Sequence, residues 1–401
     1  MSFEKNKKTV ISLFSGCGGM DLGFEGGFFT HHKSVKNRLW IDEYGENGQV
    51  KLKQTGFETI FACDIKPSAK KAWEAYFNRD VFHLESIVDL VKKARKGEFE
   101  FPEADVVTGG FPCQDFSVAG KRNGLKSMKG HDMSTLDNPS VESRGMLYYW
   151  MREVVSLVKP KVFIAENVKG LVSLADVKKT IVEDFRSVAG GYIVLDPQVL
   201  HAGEYGVPQS RERVIFIGIR KDTLSDAALE GLQNGSLNYS PYPKKTHSLK
   251  VEIVTSMDVL CDLSEPEHSK DISHQFYSKA KWYGKHCQGQ TEVNLKGLAP
   301  TIRSEHHGNI EFRRLSLENG GKIENEFDLP QRRLSVRECA RIQTFPDDFE
   351  FVGNGVCGSD AYKLVGNAVP PLLAYHIAKR LDEVWESFFD SGEIHQESRV
   401  A

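Results

Sequence analysis

Residues 10–19 read Val-Ile-Ser-Leu-Phe-Ser-Gly-Cys-Gly-Gly, an apolar stretch that breaks into a glycine-rich turn. The apolar part predicts a buried strand, and we expect a helix to begin near Met20. Glycines at the carboxyl end of a strand let ligand atoms approach the backbone closely, and in an open α/β sheet that end is the binding edge. The spacing does not match the G-x-G-x-x-G pattern of dinucleotide-binding sheets, so a plain tight turn is an equally good interpretation.

Short apolar stretches rich in valine and isoleucine alternate with helical patterns through the first two-thirds of the chain. Such stretches are typical of strands covered on both faces. The strand candidates are Val10–Phe14, Thr59–Cys63, Asp105–Thr108, Val162–Ala165, Tyr192–Leu195 and Val214–Ile219. Between them, Leu147, Met151, Val154 and Val158 share one helix face. This alternation predicts an α/β fold with a mostly parallel sheet and helices on both faces.

The chain divides into two kinds of sequence. Residues 221–335 are polar, rich in serine, asparagine, glycine and histidine, and weakly periodic, which predicts a smaller domain of irregular structure. Helical patterns return at Val336–Ile342 and Pro370–Phe388. We therefore expect residues 1–220, completed by 336–401, to form the larger α/β domain.

Two polar stretches, 31–54 and 121–142, are interpreted as insertions into this larger domain. The second overlaps a basic group, since residues 119–131 contain four lysines or arginines and no acidic residue. The net charge of the whole chain is −3, so global charge does not indicate a nucleic-acid binder. Local basic groups of this kind are either solvated faces or phosphate contacts.

The composition disfavours several classes of protein. No window approaches 18 consecutive apolar residues and the start is polar, so we expect neither a membrane span nor a signal peptide, but a cytoplasmic protein. None of the seven cysteines forms a C-x-x-C pair, which disfavours a zinc ribbon or a disulfide framework. The adjacent His306 and His307 lack metal-ligand spacing, so no metal site is predicted.

The second strand candidate ends in Cys63-Asp64. An acid at this place can accept hydrogen bonds from ribose hydroxyls, as in other nucleotide-binding sheets. Together with the glycine turn, it indicates a cofactor with adenosine at one end, and both NAD and S-adenosylmethionine qualify. The alternative is that Asp64 caps a helix that starts near Ser68.

Four further side chains follow or enter strands at the same edge of the predicted sheet. Cys113 comes after the strand Asp105–Thr108 and behind a proline, which makes it a candidate nucleophile, although most cysteines are buried and inert. Glu166 ends an apolar strand, so its pKa should be raised, or it caps a helix with Asn167. Alternation along a strand puts Arg211 and Arg213 on one face. Two guanidinium groups there can hold a phosphate or orient Glu166, and the alternative is a salt bridge at the edge of the sheet.

Six blocks of the sequence, in this order, resemble those of one enzyme family. They are Phe14–Gly23, Gly109–Ser117, Glu166–Val168, Gln209–Arg213, Arg333–Pro346 and Gly366–Pro370. The chain resembles the DNA (cytosine-5)-methyltransferases, chiefly the bacterial restriction–modification type. The Pro-Cys-Gln and Arg-Glu-Cys-Ala-Arg sequences within these blocks are the specific part of the match. The resemblance covers most of the chain, apart from residues 221–294 and the two insertions, and implies a Rossmann-like sheet.

The resemblance implies a catalytic role for four residues. Cys113 would add to carbon 6 of a cytosine that is flipped out of the duplex, which activates carbon 5 toward a methyl group. Glu166 would bond or protonate the ring nitrogen at position 3, Arg213 would hold Glu166 and the ring carbonyl, and Arg211 would assist. The chain offers no side chain that we can name as the base that removes the carbon-5 proton.

The cofactor implied by the resemblance is S-adenosyl-L-methionine. Its expected contacts are Phe14, Ser15, Gly16, Cys17, Gly18, Gly19, Asp64, Ile65, Ile87, Leu147 and Asn367. The family usually has an acid that binds the adenine amino group where this chain has Ser86. Either Glu85 or the backbone would then take that role.

The implied substrate is duplex DNA, read by residues 221–335 as a target-recognition domain. Thr301 resembles the family's phosphate-contacting threonine, and the residues after it are candidates for base reading. The expected DNA contacts are Gln114, Ser117, Arg144, Thr301, Arg303, His306 and Asn309. We expect a monomer, with a cognate restriction endonuclease that acts on the same site. Two alternatives stay open: an RNA cytosine methyltransferase, and a DNA-binding protein without catalysis.

Overall fold

The structure is a computed structural model that describes residues 7–112, 131–132, 142, 146–172, 175–188, 190–283, 289–304, 310–321 and 330–389. Its strands are β1 (Lys8–Leu13), β2 (Phe29–His31), β3 (Ile41–Tyr44), β4 (Gln49–Leu52), β5 (Phe57–Asp64), β6 (Phe82–Leu84), β7 (Val106–Gly110), β8 (Val162–Val168), β9 (Tyr192–Val194), β10 (Gln198–His201), β11 (Glu212–Arg220), β12 (Phe312–Arg314) and β13 (Arg332–Arg333). Its helices are α1 (Gly19–Glu25), α2 (Pro67–Phe77), α3 (Ile87–Arg95), α4 (Leu147–Val158), α5 (Ala175–Arg186), α6 (Asp226–Gln233), α7 (Ser256–Leu260), α8 (Ile272–Gln275), α9 (Val336–Ile342), α10 (Gly358–Asn367) and α11 (Pro371–Phe389).

The central sheet has the order β10-β11-β8-β7-β1-β5-β6, and β9 pairs with β11 beside β10. The five strands from β8 to β6 are parallel, whereas β11 runs antiparallel to β8 and to β10. The predicted α/β fold with a mostly parallel sheet is confirmed. Because the parallel strands end together, the segments after β1, β5, β7 and β8 meet at one edge of the sheet.

Successive side chains of the central strands lie on opposite faces of the sheet and pack into two apolar cores. Val10, Val106 and Ile164 pack in one core with α1, α2 and α11. Ile11 and Val107, their neighbours in sequence, pack in the other core with α3, α4 and α5. Both faces of the sheet are therefore covered, which explains why these strands read as continuous apolar runs.

The first predicted insertion has structure of its own. Strands β2, β4 and β3 form a small antiparallel sheet inside residues 29–52. Trp40 packs edge-on against Tyr375 of α11, and Lys33 forms an ion pair of 2.7 Å with Asp258 of α7. The insertion therefore connects the last helix to the central part of the chain. Of the second insertion, only His131, Asp132 and Glu142 are described.

The central region, residues 221–335, contacts the α/β domain at several points. The Ser225 backbone N–H donates to the Phe388 carbonyl at 2.8 Å, and the Tyr242 hydroxyl donates to the Ile215 carbonyl at 3.1 Å. Residues 225–242 therefore pack on α11 and β11. The predicted domain boundary at residue 221 stays a prediction.

The beginning of β1 lies beside the last turns of α11. The Lys8 ammonium pairs with the Asp382 carboxylate at 2.6 Å, and it also lies over the Phe57 and Trp385 rings. This cluster is at the amino edge of the sheet, opposite the predicted binding edge. In the part of the chain that the structure describes, no helix combines the length and apolarity needed to cross a membrane.

Candidate active site

The glycine-rich turn after β1 is hydrogen-bonded to the end of β5. The Ser15 N–H donates to the Cys63 carbonyl at 3.0 Å, and the Cys63 N–H donates to Ser15 Oγ at 3.1 Å. Phe14 has a φ of 54° and Gly18 a φ of 88°, so the backbone turns sharply away from the strand. A Cβ on Gly18 would lie 2.7 Å from the Trp73 ring, which leaves room only for glycine.

Asp64 ends β5 directly beside this turn. Its Oδ2 accepts from the Gly16 N–H at 3.1 Å and its Oδ1 from the Lys66 N–H at 3.0 Å. Burial raises the pKa of this carboxyl, and Lys66 opposes the rise. Each carboxylate oxygen has a second lone pair for a ribose hydroxyl. Asp64 does not form the predicted helix cap near Ser68. Its Oδ1 accepts from the N–H of Lys66, which occupies the N-cap position of α2, and among the described residues no side chain caps this helix.

Apolar side chains are exposed at the neighbouring strand ends. Ile65 is 38% exposed and Leu84, at the end of β6, is 45% exposed. Exposed apolar surface beside a carboxylate suits a flat aromatic ring with a polar substituent. Ile87 and Leu147, in contrast, are buried in the core beneath this edge.

Ser86 has two hydrogen bonds of its own. It caps α3, with Oγ accepting from the Val88 N–H at 3.2 Å, and it lies 2.8 Å from His131 Nδ1. Glu85 pairs with Lys93 at 2.6 Å. The serine therefore has a structural role, which explains why this position need not carry an acid.

The C-terminal part of the chain folds back onto the glycine-rich turn. The Cys17 thiol lies 3.7 Å from the Leu364 carbonyl, and a Cβ on Gly19 would lie 2.4 Å from the Val369 carbonyl. Asn367 lies between these two contact points and is exposed. A tight backbone turn, a carboxylate and exposed apolar side chains thus lie at the ends of neighbouring strands, and these groups fit a cofactor with adenosine at one end.

Glu166 lies on β8 opposite Gly110, the last residue of β7. Its Oε1 accepts a bond of 2.8 Å from Arg213 Nε on the antiparallel strand β11. Burial raises the pKa of Glu166, and the charges of Arg213 and then Arg211 oppose the rise. A Cβ at Gly110 would lie 3.0 Å from Glu166 Oε2, so the glycine leaves space beside the carboxyl. This site holds a carboxyl that retains its proton to a higher pH than an exposed one.

The next residue, Asn167, connects β8 to the segment after β7. Its side-chain amide donates to the Phe111 carbonyl at 3.0 Å. Phe111 and Pro112 directly precede Cys113 in the sequence, and Cys113 itself lies outside the described residues. The alternative that Glu166 and Asn167 cap a helix is not observed, since both belong to β8.

Arg211 and Arg213 have different partners. The buried guanidinium of Arg211 donates to the carbonyls of Ile302 at 2.9 Å, Gly366 at 3.0 Å and Ala368 at 2.7 Å. Arg211 precedes β11 and joins two distant segments, at residue 302 and at residues 366–368, whereas Arg213 faces Glu166. We interpret Arg211 as a positioning residue that also acts on Glu166 through its charge.

Two glutamines that sequence reasoning left without a role form a buried bridge. Gln209 Nε2 donates to Gln343 Oε1 at 2.8 Å, and Gln343 Nε2 donates to the Val365 carbonyl at 2.7 Å. Gln209 Oε1 accepts from the Ile302 N–H at 2.8 Å. Both glutamines lie within blocks that carried the family resemblance, which was the available signal.

Two of the predicted DNA contacts are described. The Thr301 hydroxyl donates to the Ser210 carbonyl at 2.6 Å, and the Arg303 guanidinium lies 3.6 Å from the Glu311 carboxylate. Both side chains are partly exposed beside Arg211 and the C-terminal segment. The remaining ones, Gln114, Ser117, Arg144, His306 and Asn309, lie outside the described residues.

The fold and this arrangement of side chains agree with the comparison against known families. Residues 8–383 match the family described as C-5 cytosine-specific DNA methylase, and the chain belongs to this family of DNA (cytosine-5)-methyltransferases. It is 31% identical over 419 residues to the Type II methyltransferase M.BspRI of Lysinibacillus sphaericus, covering 99% of this chain and 86% of that one. It is 32% identical over 400 residues to the Type II methyltransferase M.BsuRI of Bacillus subtilis, covering 94% and 80%.

A solved structure with the same fold is the S. pombe Dnmt2 methyltransferase. It superposes with a TM-score of 0.55 over 94% of this chain and 99% of that chain, at 16% identity. A similarity at this identity supports the α/β methyltransferase fold and no finer property.

Proposed function

We propose that this enzyme transfers a methyl group from S-adenosyl-L-methionine to carbon 5 of a cytosine within a specific short sequence of duplex DNA, through a covalent bond to Cys113. The observation that carries the proposal is the buried Glu166–Arg213 pair, which lies beside Gly110, three residues before Cys113. A proton-retaining carboxyl, a fixed cation and a nucleophilic thiol are the groups that activation of a pyrimidine requires, and Cys113 follows Gly110 closely in sequence.

The thiolate of Cys113 adds to carbon 6 of the cytosine, and the displaced ring electrons make carbon 5 nucleophilic. Glu166 stabilises this form because its raised pKa lets it share a proton with the ring nitrogen at position 3. Arg213 holds the carboxyl in place and has further donors for the ring carbonyl. Once carbon 5 carries the methyl group, its proton passes to water, and the electron pair of that C–H bond restores the ring double bond as the carbon–sulfur bond breaks and frees the thiolate.

S-adenosyl-L-methionine, when bound, supplies an electrophilic methyl group at its sulfonium. The turn at Ser15 and Gly16, the Asp64 carboxylate and the exposed Ile65 would hold its ribose and adenine parts. Asn367 would close the pocket from the C-terminal segment. The target cytosine must leave the duplex to reach these groups, at a cost of a few kcal/mol.

We further propose that methylation protects host DNA from a cognate restriction endonuclease that recognises the same site, and that the enzyme acts as a monomer. The Type II names of both relatives support the first part. Bisulfite sequencing of DNA from a host that expresses the chain would give the recognition site.

The mechanism is tested by trapping. A duplex with 5-fluorocytosine at the target should form a covalent adduct with the wild-type enzyme, since fluorine cannot leave as the proton does. The Cys113→Ser variant should bind the duplex yet form no adduct and transfer no tritiated methyl group. Full activity of Cys113→Ser, or transfer to tRNA in preference to duplex DNA, would refute the proposal.

A further inference from the structure

The central region exposes a basic and aromatic segment that the site described above does not use. Residues 279–283 read Lys-Ala-Lys-Trp-Tyr, and no acidic residue occurs between Ser278 and Thr291. Trp282 is 66% exposed, whereas the other four tryptophans of the chain are buried or half-buried. A large aromatic side chain left in water beside cations is typical of a surface that binds a partner.

Hydrogen bonds from Arg333 hold the backbone of this segment in place. The buried guanidinium of Arg333 donates to the carbonyls of Ala280 at 2.8 Å and Trp282 at 2.9 Å, and it also bonds Gly289. The same guanidinium lies 4.1 Å from the centroid of the Phe312 ring. Because the carbonyls are fixed, the outward position of the Trp282 side chain is a property of the fold.

Arg333 also places the segment next to the predicted recognition residues. Its guanidinium bonds the carbonyl of Ile310, which follows the stretch 303–309 directly in sequence. Thr301 and Arg303, at the start of that stretch, contact Ser210 and Glu311 beside the C-terminal segment. The basic segment therefore adjoins the strip of chain that was predicted to meet DNA.

The two lysines of the segment differ in their surroundings. Lys279 lies 3.2 Å from the centroid of the Tyr277 ring, whose hydroxyl donates to Glu267, so a carboxylate is nearby. Lys281 has no carboxylate within 4.0 Å of its ammonium in the described part of the chain. Lys281 is therefore the lysine whose charge is available to an anionic partner.

We propose that Lys281 and Trp282 contact the sugar–phosphate backbone of duplex DNA next to the target site. The Lys281 ammonium would neutralise one phosphate, and the Trp282 indole would cover the apolar face of a neighbouring deoxyribose. Duplex DNA carries about one negative charge per 1.7 Å of its axis, far denser than the net charge of −3 on a second copy of this chain, so a basic segment favours DNA as its partner. This surface rests on the proposed action on duplex DNA and adds the residues that hold the duplex.

Tryptophan fluorescence tests the position of Trp282 without a disabling mutation. Acrylamide should quench an exposed component in the free enzyme, and a saturating cognate duplex should lower its quenching constant several-fold. The free Trp282→Phe variant should lack this exposed fluorescence component, which would assign the component to Trp282. An exposed component that stays equally quenchable in the saturated complex would overturn the proposal.

The salt dependence of DNA binding tests Lys281. The Lys281→Gln variant should bind cognate and non-cognate duplex about fivefold more weakly, and its slope of log K against log salt should be smaller by about 0.9. Lys96→Gln, at the exposed end of α3, is the matched control and should behave as the wild type. If wild-type enzyme methylates DNA but Lys281→Gln keeps its affinity and slope, this inference alone is wrong. If the wild type methylates no DNA, the proposed function fails first.

Discussion

Glu166 is the residue whose surroundings most directly serve the proposed chemistry. Replacing its carboxyl by an amide keeps the shape and a hydrogen-bond donor for the ring nitrogen, but removes the proton that can be transferred to it. We expect Glu166→Gln to lower kcat by about 10²–10⁴-fold, because a well-placed proton donor contributes about this factor. The affinity for S-adenosyl-L-methionine should change little, since Asp64 and the glycine turn are untouched. Single-turnover methyl transfer and calorimetric cofactor binding measure the two effects, and an unchanged kcat would exclude Glu166 from the reaction.

Asp21 gives a prediction about pH and stability. It is buried in α1, where Oδ2 accepts from Trp73 Nε1 at 2.6 Å and Oδ1 accepts from the Ser12 hydroxyl. Burial raises its pKa to about 6, against the lowering effect of these two bonds. The folded state therefore holds this proton more tightly than the unfolded state, so stability should fall as pH rises from about 4 to 6.

The Asp21→Asn variant should remove that pH dependence. An amide can accept from Trp73 and donate to Ser12, so its shape and bonds fit the site. At pH 8 the variant should be more stable than the wild type by up to about 3 kcal/mol, and near pH 4 the two should be similar. Thermal unfolding across this pH range measures the difference, with Asp196→Asn, 88% exposed at its side chain, as the control. A lower midpoint for Asp21→Asn at pH 8 would contradict the prediction.

At the scale of elements, the end of α10 depends on a side chain from the start of β11. Arg211→Met removes the guanidinium donor of the Ile302, Gly366 and Ala368 carbonyls, at about 1–3 kcal/mol for each acceptor left unsatisfied, although the Ala368 carbonyl keeps a bond of 3.4 Å from Gln343. Asn367 lies between two of these carbonyls, so we expect at least a tenfold weaker affinity for S-adenosyl-L-methionine. Calorimetric titration measures this loss.

Arg213→Met is the matched control for that experiment. Arg213 is bonded to Glu166 and to the Glu212 carbonyl, so its loss should lower kcat but leave cofactor affinity close to that of the wild type. Equal cofactor affinities for Arg211→Met and the wild type would show that Arg211 does not position the C-terminal segment.

The elements also show which parts of the fold sequence can predict. All six predicted strands are present because each central strand is buried on both faces and reads as an apolar run. Strand β3 escaped prediction since three of its four residues are exposed, and β10 since it is four residues long with Gln198 and His201 at its ends, so no apolar run marks either strand. The different roles of Arg211 and Arg213 also could not be read from alternation, because the partners of Arg211 lie 91 to 157 positions away.

At the scale of the molecule, the central region and the α/β domain share buried contacts. Arg341 of α9 pairs with Asp347 at 2.8 Å and with Asp262 at 2.6 Å. One apolar core includes Leu260 and Ile302 of the central region together with Leu372 of α11. We therefore expect the wild-type enzyme to unfold in one cooperative transition.

Arg341→Met should weaken this coupling. The change removes a buried arginine from two partly exposed carboxylates, which is expected to cost about 1.5–3 kcal/mol. Scanning calorimetry should show a lower midpoint and a second, earlier transition from the central region. Lys179→Met, at an exposed position of α5, should stay within about 0.5 kcal/mol of the wild type. A single transition at the wild-type temperature for Arg341→Met would contradict this coupling.

The contact between Lys8 and Asp382 brings together two positions that lie 374 residues apart in sequence. A linker from the end of α11 to the start of β1 would close the polypeptide into a ring at the edge of the sheet opposite the predicted binding edge. New ends could then be opened in an exposed connection elsewhere, because the three-dimensional arrangement does not depend on where translation starts. The same folded enzyme is therefore compatible with more than one linear order of its sequence blocks.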